Sequence, residues 1–125
     1  MNAHAIEKTE LNKILSSVAT FAVLDGAKKR LQTTIPVSEV IEVKRRLSIT
    51  QESLELLFTH GVSQIEYFPT FDDEIVRAKK GSTLTCGELL KAENLLRSAR
   101  IAHTSIRSVN DDGIKLVREI ADILF

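Results

Sequence analysis

Apolar residues recur every three or four positions through most of the chain, the period of helices with one packed face. The first such stripe is Leu11, Ile14, Leu15, Val18, Phe21 and Ala22. Asp25-Gly26 interrupts it, and Leu24, Ala27 and Leu31 continue the spacing on a different face, which predicts a kink or a second short helix. Pro36 and Ser38 end that unit, with Ser38 placed to cap the next helix. From Val40 the apolar positions are Val40, Val43, Leu47, Leu54 and Leu57, with Thr50 filling the missing step. This narrow heptad seam suits packing against one neighbouring helix and is too short for a coiled coil.

Gly61 stops that helix, and the segment GVSQIEYFP is the least regular of the chain, with Ile65 and Tyr67 spaced for one short extended piece. Phe71, Ile75 and Ala78 predict a short helix opened by Asp72 and Asp73 and closed by Gly81 in a left-handed conformation. A long helix to about Val109 comes next. Asp111 or Asp112 then caps a last one bearing Ile114, Val117, Ile120, Ala121 and Leu124. The pattern predicts an all-α fold of about five to six helices in an irregular bundle. Residues 1–125 read as one domain. The apolar last residue, Phe125, suggests the front piece of a longer protein, cut near a domain edge.

Composition narrows this reading. A chain of 125 residues can bury its own core, and 43% hydrophobic with 27% charged residues is the balance of a folded globular domain. Seventeen basic side chains cancel seventeen acidic ones, so nucleic-acid binding would need a local patch. The single cysteine excludes an internal disulfide. The opening MNAHAIEKTELN lacks the apolar core of a signal peptide, and no apolar run reaches membrane-spanning length.

The stretch KKGSTLTCGELL raises the question of chemistry, because it holds Cys86 beside a Gly-Ser-Thr run. Thr85 and Glu88 have the spacing of a capping box, flanked by Leu84 and Leu89 where a hydrophobic staple would close. Cys86 then takes the first helical position, where a thiol can be activated. The cap explains all its neighbours, whereas a nucleophile explains one residue. The run also lacks the Gly-Lys-Ser/Thr step of a phosphate loop. His4, His60 and His103 are too scattered for a metal site. Asp72, Asp73 and Glu74 read as a helix opening before a cation site. Tyr67, Phe68 and Phe71 read as core before base-stacking residues. No catalytic, cofactor or metal residue is assigned.

Basic residues are the remaining lead. They group as Lys28, Lys29 and Arg30, as Lys44, Arg45 and Arg46, and as Lys79 and Lys80. Arg97, Arg100 and Arg107 border the apolar face of the long helix, where arginines can rest their stems on the core and offer their heads to phosphate. The plainer reading is a solvated flank interleaved with glutamates. Arg97, Arg100, Arg107, Lys28 and Lys29 are the candidate nucleic-acid contacts.

Three blocks also carry a resemblance. TELNKILSSVATFAVLDGAKKRL resembles the opening of the bacterial MutS-two proteins, MutS paralogues lacking the mismatch-recognition domain, through Glu10, Asn12, Lys13, Ile14, Leu15, Ala19, Phe21 and Gly26. LSITQESLELL is similar to a second family stretch through Thr50, Glu52, Leu54 and Leu57. FDDEIVRAKKGSTLTCGELLKAENLLRSAR resembles the family's Asp-Ile-Arg-Pro block, with Arg77, Ala78, Gly81, Leu84, Thr85, Glu88, Leu89, Leu90, Leu96, Arg97, Ala99 and Arg100 matching. Leu11 stands in place of the usual Phe, Cys86-Gly87 in place of Pro-x, and VSQIEYFPTF where the family has a Gly-Gly stretch.

The resemblance implies the N-terminal helical segment of a MutS-like core and lever domain. It implies a homodimeric, cytoplasmic parent that uses ATP and Mg and often bears a C-terminal Smr nuclease domain. Such parents are linked to DNA repair, to suppression of recombination, or to ribosome rescue. The segment itself would be a non-enzymatic monomer whose partners are the rest of the parent chain and, through it, DNA or the ribosome. The rival expectation is a free-standing helical adaptor that binds another protein through the Val40 to Leu57 seam.

Overall fold

A computed structural model describes residues 9–62 and 65–124 of the chain. The fold is all-α. Its helices among the described residues are α1 (Leu11–Ala19), α2 (Asp25–Gln32), α3 (Val40–Phe58), α4 (Asp72–Lys79), α5 (Cys86–Ser108) and α6 (Lys115–Asp122), the last preceded by a 3-10 turn at Asp112–Ile114. No strand forms among the described residues, and Ile65 and Tyr67 lie in an irregular segment between helices. His4 lies outside the described residues. The helices gather into two compact units, Met1–Pro36 with Glu66–Ser98 and Val37–Ile65 with Ala99–Phe125.

In the first unit α1 and α2 pack together as a pair. Ala19 is buried and Leu11 and Leu15 are half-buried, but Phe21 is 87% exposed. The reason is local. Thr20 and Phe21 donate to the carbonyls of Ser17 and Val18, tightening the last turn, so Phe21 lies past the helix and off its stripe. The second short helix forms as the Asp25-Gly26 break implies, with Leu24, Ala27 and Leu31 half-buried. Tyr67 is not core: it is 58% exposed, and its hydroxyl donates to Asp25 Oδ2 at 3.2 Å. Phe68 and Phe71 are half-buried.

Helix α4 begins with Asp72, Asp73 and Glu74 in its first turn. It ends as expected at Gly81, φ 87°, where Gly81 N–H donates to Ala78 and Ser82 N–H to Arg77, the paired bonds of a Schellman ending. Two ion pairs tie α4 to α5: Arg77 with Glu88, and Lys91 Nζ with Glu74 Oε1 at 3.1 Å.

The second unit centres on Ile114, which is fully buried, with Leu56 and Ala121. Helix α3 packs against the 3-10 turn and α6. Its N-cap is Glu39 and makes no side-chain cap bond; Ser38 sits one residue too early to reach the first free amides. Gly61, φ 65°, ends the helical path, and Val62 N–H reaches back to the Leu56 carbonyl at 3.0 Å.

The inward face of α3 differs from the expected seam. Of the seam only Val43 is half-buried; Val40 and Leu47 are each 65% exposed and Leu54 and Leu57 are exposed, whereas Leu56 is buried and Ile49 and Glu52 are half-buried. The packed stripe is therefore 49-52-56, centred about 130° around the helix from 50-54-57. Hydrogen bonding explains the rotation. Glu52 Oε2 accepts the Val117 amide at 2.9 Å, satisfying one of the orphan donors that open α6. A carboxylate is also favoured at that positive helix end, so the Glu52 side turns inward and leaves Val40, Leu47, Leu54 and Leu57 exposed.

Candidate functional site

Chemistry at the start of α5 resolves into a cap. Thr85 N–H donates to Glu88 Oε2 at 2.8 Å and Glu88 N–H donates to Thr85 Oγ1 at 3.3 Å, the two reciprocal bonds of a capping box. Glu88 is held below the ordinary carboxylate range, first by the Thr85 amide and then by Arg77. Cys86 is exposed at the first helical residue. His60 Nε2 lies 3.0 Å from Asp111 Oδ2, and His103 Nε2 lies 3.7 Å from Asp122 Oδ1. Among the described residues no three potential ligands cluster around a metal-sized gap.

Of the two aspartates expected to cap the last helix, Asp111 caps instead the 3-10 turn before it, its Oδ1 accepting the Gly113 amide at 2.7 Å, while α6 itself opens at Ile114 with no side-chain cap. That amide, and then His60, lower its pKa. Arg118 Nη2 completes the corner by donating to the carbonyls of Val109 and Asp111 at 2.8 and 3.0 Å. Glu74 is likewise lowered, first by its own amide and then by Lys91, so the acidic opening of α4 is a paired helix start.

The five candidate nucleic-acid contacts fall on two helices and differ in their partners. On α5, Arg97 Nη2 donates to Glu93 Oε1 at 2.7 Å, and Arg107 Nε to Asp122 Oδ1 at 2.8 Å. Arg100 is exposed and makes no ion pair among the described residues. On α2, Lys28 Nζ is 3.4 Å from Asp25 Oδ1, and Lys29 is exposed and unpaired among the described residues. Lys28, Lys29 and Arg97 belong to the first unit, Arg100 and Arg107 to the second.

Two cavities were not legible in the sequence. One, of about 280 Å³ in the second unit, is lined by Leu56 and Leu57 of α3, Ala102 and Ile106 of α5, Val117 of α6, and Ser53, Val62 and Ile65. Ser53 is its one polar residue, and its hydroxyl already donates to the Ile49 carbonyl, so nothing there can drive a reaction. The other, of about 360 Å³ between α1 and α2, is lined by Ser16, Ala19, Thr20, Lys28 and Gln32. Its members lie at i, i+3 and i+4 on α1 and at i, i+4 on α2. That is a helical-neighbour pattern, which could have been sought for polar as well as apolar residues.

Comparison with known proteins supplies what these side chains do not. Endonuclease MutS2 of Clostridium beijerinckii is 33% identical over 100 residues, which is 80% of this chain and 13% of that protein. The MutS2 proteins of Clostridium acetobutylicum and Clostridium tetani are 30% and 28% identical over 136 aligned positions, covering all of this chain and 17% of theirs. No family model and no solved structure matches the chain. The chain is MutS-like. More narrowly, it belongs to the MutS2 family, of whose curated members it spans 13% to 17% of the length.

Proposed function

We propose that this chain is the N-terminal helical core segment of a MutS-like, DNA-binding ATPase and that its role there is structural and mechanical. The observation that carries the reading is similarity to MutS2 proteins along 80% to 100% of the chain, at a small fraction of their length. The exposed Val40, Leu47, Leu54 and Leu57 seam supports it, because an apolar stripe on a helix gains most when another element covers it. In the parent, nucleotide-driven movement would pass along helices such as α3 and α5 toward the part that grips nucleic acid. ATP and Mg²⁺ would bind elsewhere in that parent, a cytoplasmic homodimer acting on DNA junctions in repair and recombination or on stalled ribosomes. Any nuclease activity would also reside outside this segment.

The same seam favours a second reading, a free-standing adaptor that binds a partner helix. Reading the natural gene beyond the codon for Phe125 separates the two. The MutS reading expects the frame to continue into a Gly-x-x-x-x-Gly-Lys-Ser/Thr phosphate loop. A stop codon at that point overturns it in favour of the adaptor.

A further inference from the structure

We propose that α3 pairs in parallel with α3 of a second copy of this chain. Val40, Leu47 and Leu54 stand seven residues apart on one exposed line of the helix, with Val43, Thr50 and Leu57 between them, the two apolar places of a heptad repeat. The helix has 19 residues, too few for such a seam to hold by itself, so the residues that flank it decide what covers it. All of them belong to the second unit.

In a parallel pair, the residue just before the first place of a heptad faces the residue just after the second place on the other helix. Those facing residues suit each other along the whole of α3. Glu39 faces Lys44 of the second copy, and both are exposed and make no ion pair within their own chain among the described residues. Arg46 faces Gln51, so no like charges oppose. Ser53 faces Phe58, which is 79% exposed. Ser53 and Leu57 are also walls of the apolar cavity of about 280 Å³, so the ring of one copy arrives beside the cavity of the other. A two-fold axis makes each of these contacts twice, which is how one surface becomes complementary to itself. An antiparallel pair sets like flanks together, and Glu39 and Lys44 then never meet. The pairing replaces the monomer that the family resemblance implies, and it does not depend on the MutS reading.

The test is sedimentation equilibrium of the whole chain over a concentration series. The apparent mass should rise from 13.9 kDa toward twice that value. Leu47→Glu should abolish the rise, and Phe58→Ala should weaken association several-fold. Glu39→Lys and Lys44→Glu each set like charges opposite one another, so each variant by itself should associate several-fold more weakly. An equimolar mixture of those two variants should recover the association, because every facing pair is then of opposite sign. Circular dichroism melts check that each variant folds. A chain that stays at 13.9 kDa throughout would overturn the proposal and leave the seam to another segment or another protein. Association untouched by Leu47→Glu, or a mixture no better than its two components, would overturn it as well.

Discussion

Replacing Thr85 with alanine removes one half of the reciprocal pair that opens α5. The lost half is the Glu88 N–H bond to Thr85 Oγ1, at 3.3 Å, together with the hydroxyl's own bond to Glu88 Oε2 at 3.0 Å. The surviving half is the Thr85 amide to Glu88 Oε2 at 2.8 Å, which needs no side chain at residue 85. Thr85 is exposed, so water can replace what is lost, and the cost should sit near the middle of the N-cap range, about 1 kcal/mol. For a domain of this size that lowers the melting temperature by about 3–5 °C. Thr85→Ser restores the hydroxyl and should recover most of the loss, while Cys86→Ser should leave the melt unchanged. Far-UV circular dichroism melts of the three variants measure all of this. An unchanged Thr85→Ala melt, or serine costing as much as alanine, would refute the capping account.

Other consequences can be checked as directly. Leu56→Ala, at a buried site, should cost about 2–5 kcal/mol, whereas Leu54→Ala on the exposed seam should cost clearly less; urea titrations that rank them the other way would restore the original seam. Acid should destabilise the fold, because Glu88, Glu74, Glu42 and Asp111 all have folded pKa values below their ordinary ones of 4.5 for Glu and 3.8 for Asp. Their contribution is complete above those ordinary values and is lost as pH falls through the lowered ones; melts across that window should fall more steeply for the parent than for Glu88→Gln. The chain alone should release no phosphate from ATP, since it has no phosphate loop; turnover persisting through rigorous purification in a phosphate-release assay would contradict this.

Helix existence was legible because local rules set it: the Asp25-Gly26 break, the Thr85 and Glu88 box, Gly81 and the Asp111 cap all act within a few residues. What the sequence concealed depends on distant partners. The rotation of α3 follows from Glu52 meeting an amide 65 residues away, which periodicity cannot reveal. The α1–α2 pocket was hidden for the same reason, since Ser16 and Gln32 carry no motif and come together only when two helices meet. The arginines on α5 were visible as a row, but the pairing of Arg107 with Asp122 required the fold.

The central claim is that this chain works as a piece of a larger MutS-like machine. An antibody raised against residues 86–108 and used on an immunoblot of the native cells tests it most directly. The account predicts a band several times heavier than the 13.9 kDa of this chain, with mass spectrometry of that band returning a phosphate-loop peptide. A single band at the mass of the chain itself, with no heavier species, would contradict it.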